Sequence, residues 1–402
     1  MATLYFHIPF CKRICTYCDF YKVGAIDLIP HVVESMHREL DERASYLKER
    51  GLTSIYFGGG TPSLLHPEQI EGLISHSRQL FDLSAVEEIT LEANPDDLNA
   101  EYIAQLQKTS INRISLGIQS FDDRVLGFMN RRHSAAEARE CVERLRKAGY
   151  DNISVDIIFG VAGFGDDWLR DTINQTIALN AEHISAYHLT VEERTRLGIM
   201  VRKGEYQPVS EEQSESDYLL VESMLCEAGY EHYEVSNYAK PGRRAKHNSA
   251  YWRGVEYLGI GAGAHSFSGD DRRWCVSTAK EYSEGDIRFE SEELSTTDHL
   301  NEYVMTALRT KEGIDLNHIS TIFGSEERER LVKHSLGWQE RGVVTYTENR
   351  LFIPTSEFML SDAVIESLFI YLGHTLDKNP NSWDKYLVFS KNCTTFTSVK
   401  IH

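Results

Sequence analysis

No apolar run in this chain approaches the ~18 residues of a membrane-spanning helix. The N-terminus enters a strand-like segment with no basic leader or Arg-rich transit stretch, so a protein without a targeting signal or transmembrane segment is expected. Positive charge is also scarce: 42 basic side chains face 61 acidic ones, for a net charge of −19. Such a surface repels phosphate backbones and anionic head groups, which argues against nucleic acid as a partner. The densest basic stretch, 240–246, is short and reads as a solvated loop. Cysteine is scarce too, with seven residues, an odd number, three of them clustered. That pattern argues against a secreted disulfide framework and points to a reducing, cytoplasmic setting. What remains is an ordinary globular composition, 41% hydrophobic and 26% charged over 402 residues. The length allows two or three domains.

A further lack lies within the cysteine cluster. Cys11, Cys15 and Cys18 form a CxxxCxxC triplet directly after Tyr5-Phe6-His7-Ile8-Pro9-Phe10. Proteins that hold a 4Fe–4S cube usually supply four cysteines. Three leave one iron open to a small molecule with an amine and a carboxylate, such as S-adenosylmethionine (SAM). Zinc is the rival, since Cys3His is a legitimate tetrahedral set and His7 lies nearby. Zinc ribbons usually bring two separated Cys pairs, however. Here Cys141, Cys226, Cys275 and Cys393 are scattered singly and read as incidental or buried thiols. The triplet resembles the cluster motif of the radical-SAM superfamily.

From residue 1 to about 190, short apolar runs alternate with amphipathic stretches. The runs fall at 3–8, 54–57, 88–92, 113–118, 153–159 and 183–188. Helical patterns lie at 28–50, 67–81, 100–107, 135–148 and 168–179. This alternation predicts βαβ units, a parallel sheet and an α/β fold. Six units suit a partial (β/α)6 barrel better than a doubly wound sheet. A helix at 211–228 and a strand at 230–235, with Glu234 near its end, complete a barrel domain over 1–235. Residues 236–297 read as a polar loop, a glycine-rich stretch at 258–265 and an acidic linker. Residues 298–372 read as a small winged-helix-like domain of helices and a two-stranded ribbon, and 373–402 as an irregular or disordered tail.

Ligand-binding residues of such folds sit just past the C-terminal ends of strands, and the unusual residues here do the same. Gly58-Gly59-Gly60-Thr61-Pro62 follows the second run, where glycines let backbone approach a ligand and free its carbonyls. Glu92 ends the third and could bind ribose hydroxyls. Gln119 ends the fourth, and Asp156 lies within the apolar fifth. Arg131 is a candidate partner for a ligand carboxylate or for one of these acids.

Taken together, residues 3–372 resemble the radical-SAM family of oxygen-independent coproporphyrinogen III dehydrogenases and their relatives, the HemN/HemW group. The resemblance implies a 4Fe–4S cluster on Cys11, Cys15 and Cys18. It also implies SAM held by Tyr5, Gly59, Gly60, Thr61, Glu92, Gln119, Arg131 and Asp156, with the backbone at 262–265 along the adenine. The dehydrogenase branch carries a further cysteine two residues after the triplet, where this chain has Phe20. Conversely, His247-Asn248-Ser249-Ala250-Tyr251-Trp252 matches the HNxxYW pattern of the haem-chaperone branch. There the resemblance implies His247 as a haem ligand with Tyr251 and Trp252 as a stacking surface. His265 is expected to line the SAM or haem cleft. The implied role is a haem chaperone that passes haem to acceptor haemoproteins, membrane-associated ones included, without coproporphyrinogen dehydrogenase activity. The alternative is the dehydrogenase itself, an oxidative decarboxylase of porphyrin biosynthesis. A zinc-dependent interaction protein is a third class.

Overall fold

The segment Ala2–Ile8 is buried at all seven positions, as a parallel strand covered on both faces must be. It forms β1 in the computed structural model, which describes residues 1–165 and 167–370. Five more strands follow: β2 (Leu52–Gly59), β3 (Glu88–Ala93), β4 (Arg113–Gln119), β5 (Ile153–Phe159) and β6 (His183–His188). All six pair in parallel and in chain order, with helices Ile29–Arg43, Pro67–Leu80, Ala100–Leu106, Ala135–Lys147 and Asp167–Ala178 among the connections. Doubly wound sheets reverse strand order at a switch point, and no reversal occurs among these six. The winding is therefore of the barrel kind, and strands and helices lie within about two residues of their predicted places, except that the first helix, predicted over 28–50, ends at Arg43.

The barrel wall does not end there. Beyond β6 lie β8 (Asn237–Ala239) and then β7 (Glu231–Glu234), both antiparallel. On the far side β9 (Tyr257–Ile260) pairs in parallel with β1. Outside it follow β10 (His265–Phe267), β11 (Asp271–Cys275) and β12 (Phe289–Glu293), all antiparallel, completing a twelve-stranded sheet. Two expectations are corrected here. The acidic linker contains an edge strand, β12, whose Phe289–Glu293 residues pair with β11. The expected polar loop holds the helix Lys246–Trp252.

The C-terminal segment has helices Thr296–Ala307, Leu316–Ile322, Ser325–His334 and Leu336–Glu340. Its ribbon has three strands rather than two, because β13 (Ile314–Asp315) pairs with β15 (Arg350–Phe352) on the side opposite β14 (Thr345–Tyr346). The predicted tail, 373–402, lies outside the described residues.

Glu234 sits where this segment meets β7, in a bridge to Thr310. It is fully buried, and one carboxylate oxygen has no hydrogen-bond partner. Burial pushes its carboxyl up to about 8 from 4.5. The folded chain thus keeps a proton that the unfolded chain has lost between these two values. Stability from this group is full below pH 4.5, falls as pH rises and levels off above about 8. Thermal melts from pH 5 to 8 should show this decline, and Glu234→Gln should flatten it.

Candidate cluster and cofactor site

The cysteine triplet lies on the loop that leaves β1, and its placement starts from two glycines. Gly59 has a φ of 108°, and a Cβ there would meet the His7 ring at 2.7 Å. A Cβ on Gly60 would strike the backbone of Phe10 at 2.7 Å and of Ile8 at 2.9 Å. The turn after β2 thus passes directly against the chain entering the cysteine loop, a closeness open only to glycine.

Other segments clamp the loop from outside. Asn130 donates to Ile14 O at 2.7 Å, and Thr16 N donates to Met129 O at 3.2 Å. Asp97, buried at the end of the third βα turn, accepts from Lys12 Nζ and Arg132 Nη2, both at 2.9 Å, and from Ser63 Oγ at 3.0 Å. One carboxylate therefore joins the cysteine loop, the glycine turn and the segment after β4. Sequence reasoning missed Asp97, Lys12 and Arg132, although they neighbour the Glu92-Ala93-Asn94-Pro95 and Met129-Asn130-Arg131 motifs that it read.

The result is a cavity of about 360 Å³. It is lined by Cys11, Cys15 and Cys18, by Gly59, Gly60 and Thr61, and by Glu92, Gln119, Arg131 and Asp156. Every residue predicted for the cluster lines it, and so does every one predicted for SAM except Tyr5. Tyr5 lies below, in a pocket of about 20 Å³ that Glu92 and Asp156 also border.

Donors point at two of the sulfurs. Thr61 Oγ1 lies 3.5 Å from Cys11 Sγ, and Arg131 Nη1 lies 3.3 Å from Cys15 Sγ. Arg131 is held in place by Asn94 Oδ1 and Gly117 O. Burial pushes the Cys11 thiol up, and the Cys18 thiol up to about 11. A bound cation would have to displace their protons. Among the described residues no three His, Cys, Asp or Glu side chains converge tightly enough to hold one metal ion. Three thiols opening on one cavity, two of them facing hydroxyl or guanidinium donors, are a donor set that suits an iron–sulfur cube with one iron left open.

Gln119 combines two unusual features. It occupies the left-handed region at φ 72°, which costs a non-glycine residue on the order of 1–3 kcal/mol. Its amide oxygen is buried without a hydrogen-bond partner. Glu92 accepts a hydrogen bond from Tyr56 OH at 2.7 Å, which fixes its carboxylate in the cavity wall. Across from it runs the glycine-rich strip after β9, braced by a buried pair on helix Ile29–Arg43. Glu39 accepts from Gly261 N at 2.9 Å, while Arg43 donates to Gly259 O at 3.0 Å and to Ser266 Oγ at 2.8 Å. The wall thus offers acceptors at Glu92 and Gln119, a cation at Arg131 and the side-chain-free backbone of Gly59 and Gly60. That set suits the hydroxyls of a nucleoside together with the ammonium and free carboxylate of an amino acid.

The residues predicted for haem sit elsewhere. His247 is 1% exposed and forms part of the barrel floor. Its Nδ1 bonds Ser54 Oγ at 2.8 Å, its Nε2 bonds Tyr251 OH at 3.0 Å, and its ring stacks on Tyr56. The Glu88 carboxylate accepts from the backbone N–H groups of Lys246 and His247, pinning the helix start beneath β3. Tyr251 and Trp252 are buried as well. In this arrangement all three are buried, and both ring nitrogens of His247 have hydroxyl partners. The reason is tertiary: a carboxylate and a serine at the lower ends of β3 and β2 draw the helix inward.

Six parallel strands wound in order, a CxxxCxxC loop and a ligand cavity above the strand ends define a radical-SAM protein. Residues 5–176 match the Radical SAM superfamily model. A protein of Lactococcus lactis named heme chaperone HemW is 37% identical over 314 residues, covering 77% of this chain and 82% of that protein. Its namesake in Bacillus subtilis is 32% identical over 371 residues, 90% of this chain and 98% of that one. The chain belongs to the HemW family. Its fold matches that of the Escherichia coli radical-SAM enzyme coproporphyrinogen III oxidase (HemN), with a TM-score of 0.79 over 92% of this chain and 90% of that one, at 20% identity. No helix among the described residues is long and apolar enough to cross a membrane.

Proposed function

We propose that this chain is a haem chaperone built on a radical-SAM scaffold, one that binds haem and passes it to acceptor haemoproteins. The observation that carries the reading is the single cavity onto which three cysteines, two glycines, Glu92, Gln119, Arg131 and Asp156 all open, in a chain whose relatives bear the chaperone name. Cys11, Cys15 and Cys18 would hold a 4Fe–4S cluster, with Thr61 and Arg131 donating to its thiolates. Glu92 would receive the ribose hydroxyls of SAM, Gln119 would accept from a donor on the same ligand, and Arg131 would hold its carboxylate. Together, cluster and SAM can supply one-electron chemistry. The chain's own part is to order the ligand and keep water from it.

The rival, coproporphyrinogen oxidation, has the HemN-like fold in its favour, but at 20% identity that likeness extends to fold alone. Phe20 weighs against it, since it lines the cavity where the dehydrogenase motif has a cysteine. Titration of hemin into the reconstituted protein tests the chaperone reading. A saturable, one-to-one Soret change supports it, and only unsaturable uptake defeats it. For the SAM placement, Glu92→Ala should weaken binding by about 1.5–3 kcal/mol, the scale of a hydrogen bond to a charged group. Calorimetry showing unchanged affinity in both Glu92→Ala and Gln119→Ala would remove these residues from the SAM site.

A further inference from the structure

The ligand cavity and the barrel floor are not separate compartments. Glu92, Ser115, Asp156 and Tyr187 border both the main cavity and the small pocket beneath it, and that pocket reaches down to His247 and Tyr251. One side chain spans the two levels. Tyr56 is buried, donates its hydroxyl to Glu92 above, and lays its ring on the His247 imidazole below, with centroids 4.9 Å apart and planes 25° apart. Ser54 lies two residues earlier on β2, hence on the same face of the strand, and bonds Nδ1 of that imidazole at 2.8 Å. β2 thus holds His247 by its edge and by its face, and the residue that supplies the face also fixes Glu92. Tyr5, paired with Tyr56 across β1 and β2, stacks beside it with centroids 6.0 Å apart. We propose that Tyr56 is a positioning residue that orients Glu92 for SAM and links occupancy of the SAM site to the seating of His247 in the floor. This inference rests on the SAM placement proposed above and extends it to the helix Lys246–Trp252.

The chemistry of each group keeps the link intact. Burial, and then the charge of Glu92, push the Tyr56 hydroxyl well above its ordinary 10.0, so it stays protonated and a donor. A carboxylate offers about four lone-pair sites on two oxygens, so Glu92 can take ribose hydroxyls and keep Tyr56. Burial, reinforced by the Arg113 guanidinium, lowers the His247 proton affinity to about 3, so its ring is neutral. One nitrogen then donates and the other accepts, and the hydroxyls of Ser54 and Tyr251 satisfy both. Ligand hydroxyls that anchor Glu92 hold Tyr56 still, and a still ring keeps the imidazole seated. By linkage, a seated imidazole favours SAM by the same factor. For a chaperone the consequence is direct. His247 can meet iron only by parting from Ser54 or Tyr251, and bound SAM resists that departure.

Calorimetric titration of SAM into reconstituted wild type, Tyr56→Phe, Glu92→Ala and the double variant tests the first half, with cluster content and melting temperature measured alongside. Phenylalanine keeps the ring and its stack and removes only the hydroxyl. Tyr56→Phe should weaken SAM binding about tenfold, the lower end for a hydrogen bond to a charged group. In the Glu92→Ala background the same change should weaken it by less than about twofold, because its effect runs through Glu92. Hydrogen exchange over residues 246–252 tests the second half. Saturating SAM should slow it at least about threefold in wild type and leave it unchanged in Tyr56→Phe. Glu92→Gln, which weakens the same bond from its other end, should lose this protection too and takes over the test where Tyr56→Phe melts early. Wild-type SAM affinity in Tyr56→Phe, or an equal loss in both backgrounds, overturns the inference. So does SAM protection that survives in Tyr56→Phe and Glu92→Gln. Each of these results leaves the SAM placement standing. Reconstituted wild type that binds no SAM defeats the placement itself.

Discussion

Replacing any one of Cys11, Cys15 or Cys18 with serine is expected to abolish stoichiometric iron and acid-labile sulfide after anaerobic reconstitution, together with the brown colour. The effect should be all-or-none, because three thiolates are the fewest that can cap a cube with one iron left open. Serine keeps the shape but binds iron poorly, so the loop itself should stay folded. Asp97 and Asn130 grip it through Lys12 and the Ile14 carbonyl, not through the sulfurs. Cys141 and Cys275 are buried and Cys226 is exposed, all apart from the cavity. Their serine variants, and Cys393→Ser, should load normally. If one of those four proved essential, the open-iron argument would collapse. Zinc at one equivalent in place of iron would instead favour the Cys3His alternative.

Gly259→Ala should be among the most destabilising single substitutions in the chain. An added Cβ would lie 2.0 Å from the His265 carbonyl oxygen, a backbone atom that cannot rotate away. Nor can the strand retreat, since Gly259 pairs with Tyr5 of β1 and its own carbonyl is held by Arg43. Overpacking typically costs about 1–3 kcal/mol, and this clash should reach or exceed the upper end. Gly72→Ala is the matched control. It lies inside helix Pro67–Leu80, and the nearest atom to its new Cβ would be 3.9 Å away. That change should be neutral or stabilise by roughly 0.5–1 kcal/mol. Melting of the two variants side by side checks both. A Gly259→Ala protein as stable as wild type would show that β9 and β10 do not pack this closely.

The central strands were legible because a parallel strand buried on both faces must be apolar along its length. Ile153–Phe159 and His183–His188 fall where the runs placed them. The outer strands were not. Phe289–Glu293 is almost all acidic or polar and reads as linker, because an edge strand is stabilised by its neighbour's backbone and needs no apolar pattern. Helix Lys246–Trp252 spans seven residues, too few for a periodicity to show. It forms because Glu88, more than 150 residues earlier, caps its start. The same limit applies to the site. Cys11, Cys15 and Cys18 could be read from spacing, and Glu92 and Gln119 from their places at strand ends. Asp97 owes its role to three partners on separate segments. His247 stood out in sequence, but its partners Ser54 and Tyr56 lie on a distant strand and could not be read from spacing.

The most direct test of the central claim is to give one reconstituted preparation two tasks under anaerobic conditions with SAM and a reductant. After loading with one equivalent of hemin, it is mixed with an apo-haemoprotein while the acceptor's Soret band is followed. A second portion receives coproporphyrinogen III, and released carbon dioxide is measured. A haem chaperone transfers its hemin, at a rate that rises with acceptor concentration, and releases no carbon dioxide above background. Stoichiometric carbon dioxide, from a protein that neither retains nor hands over hemin, would contradict the account and make this chain a decarboxylating oxidase.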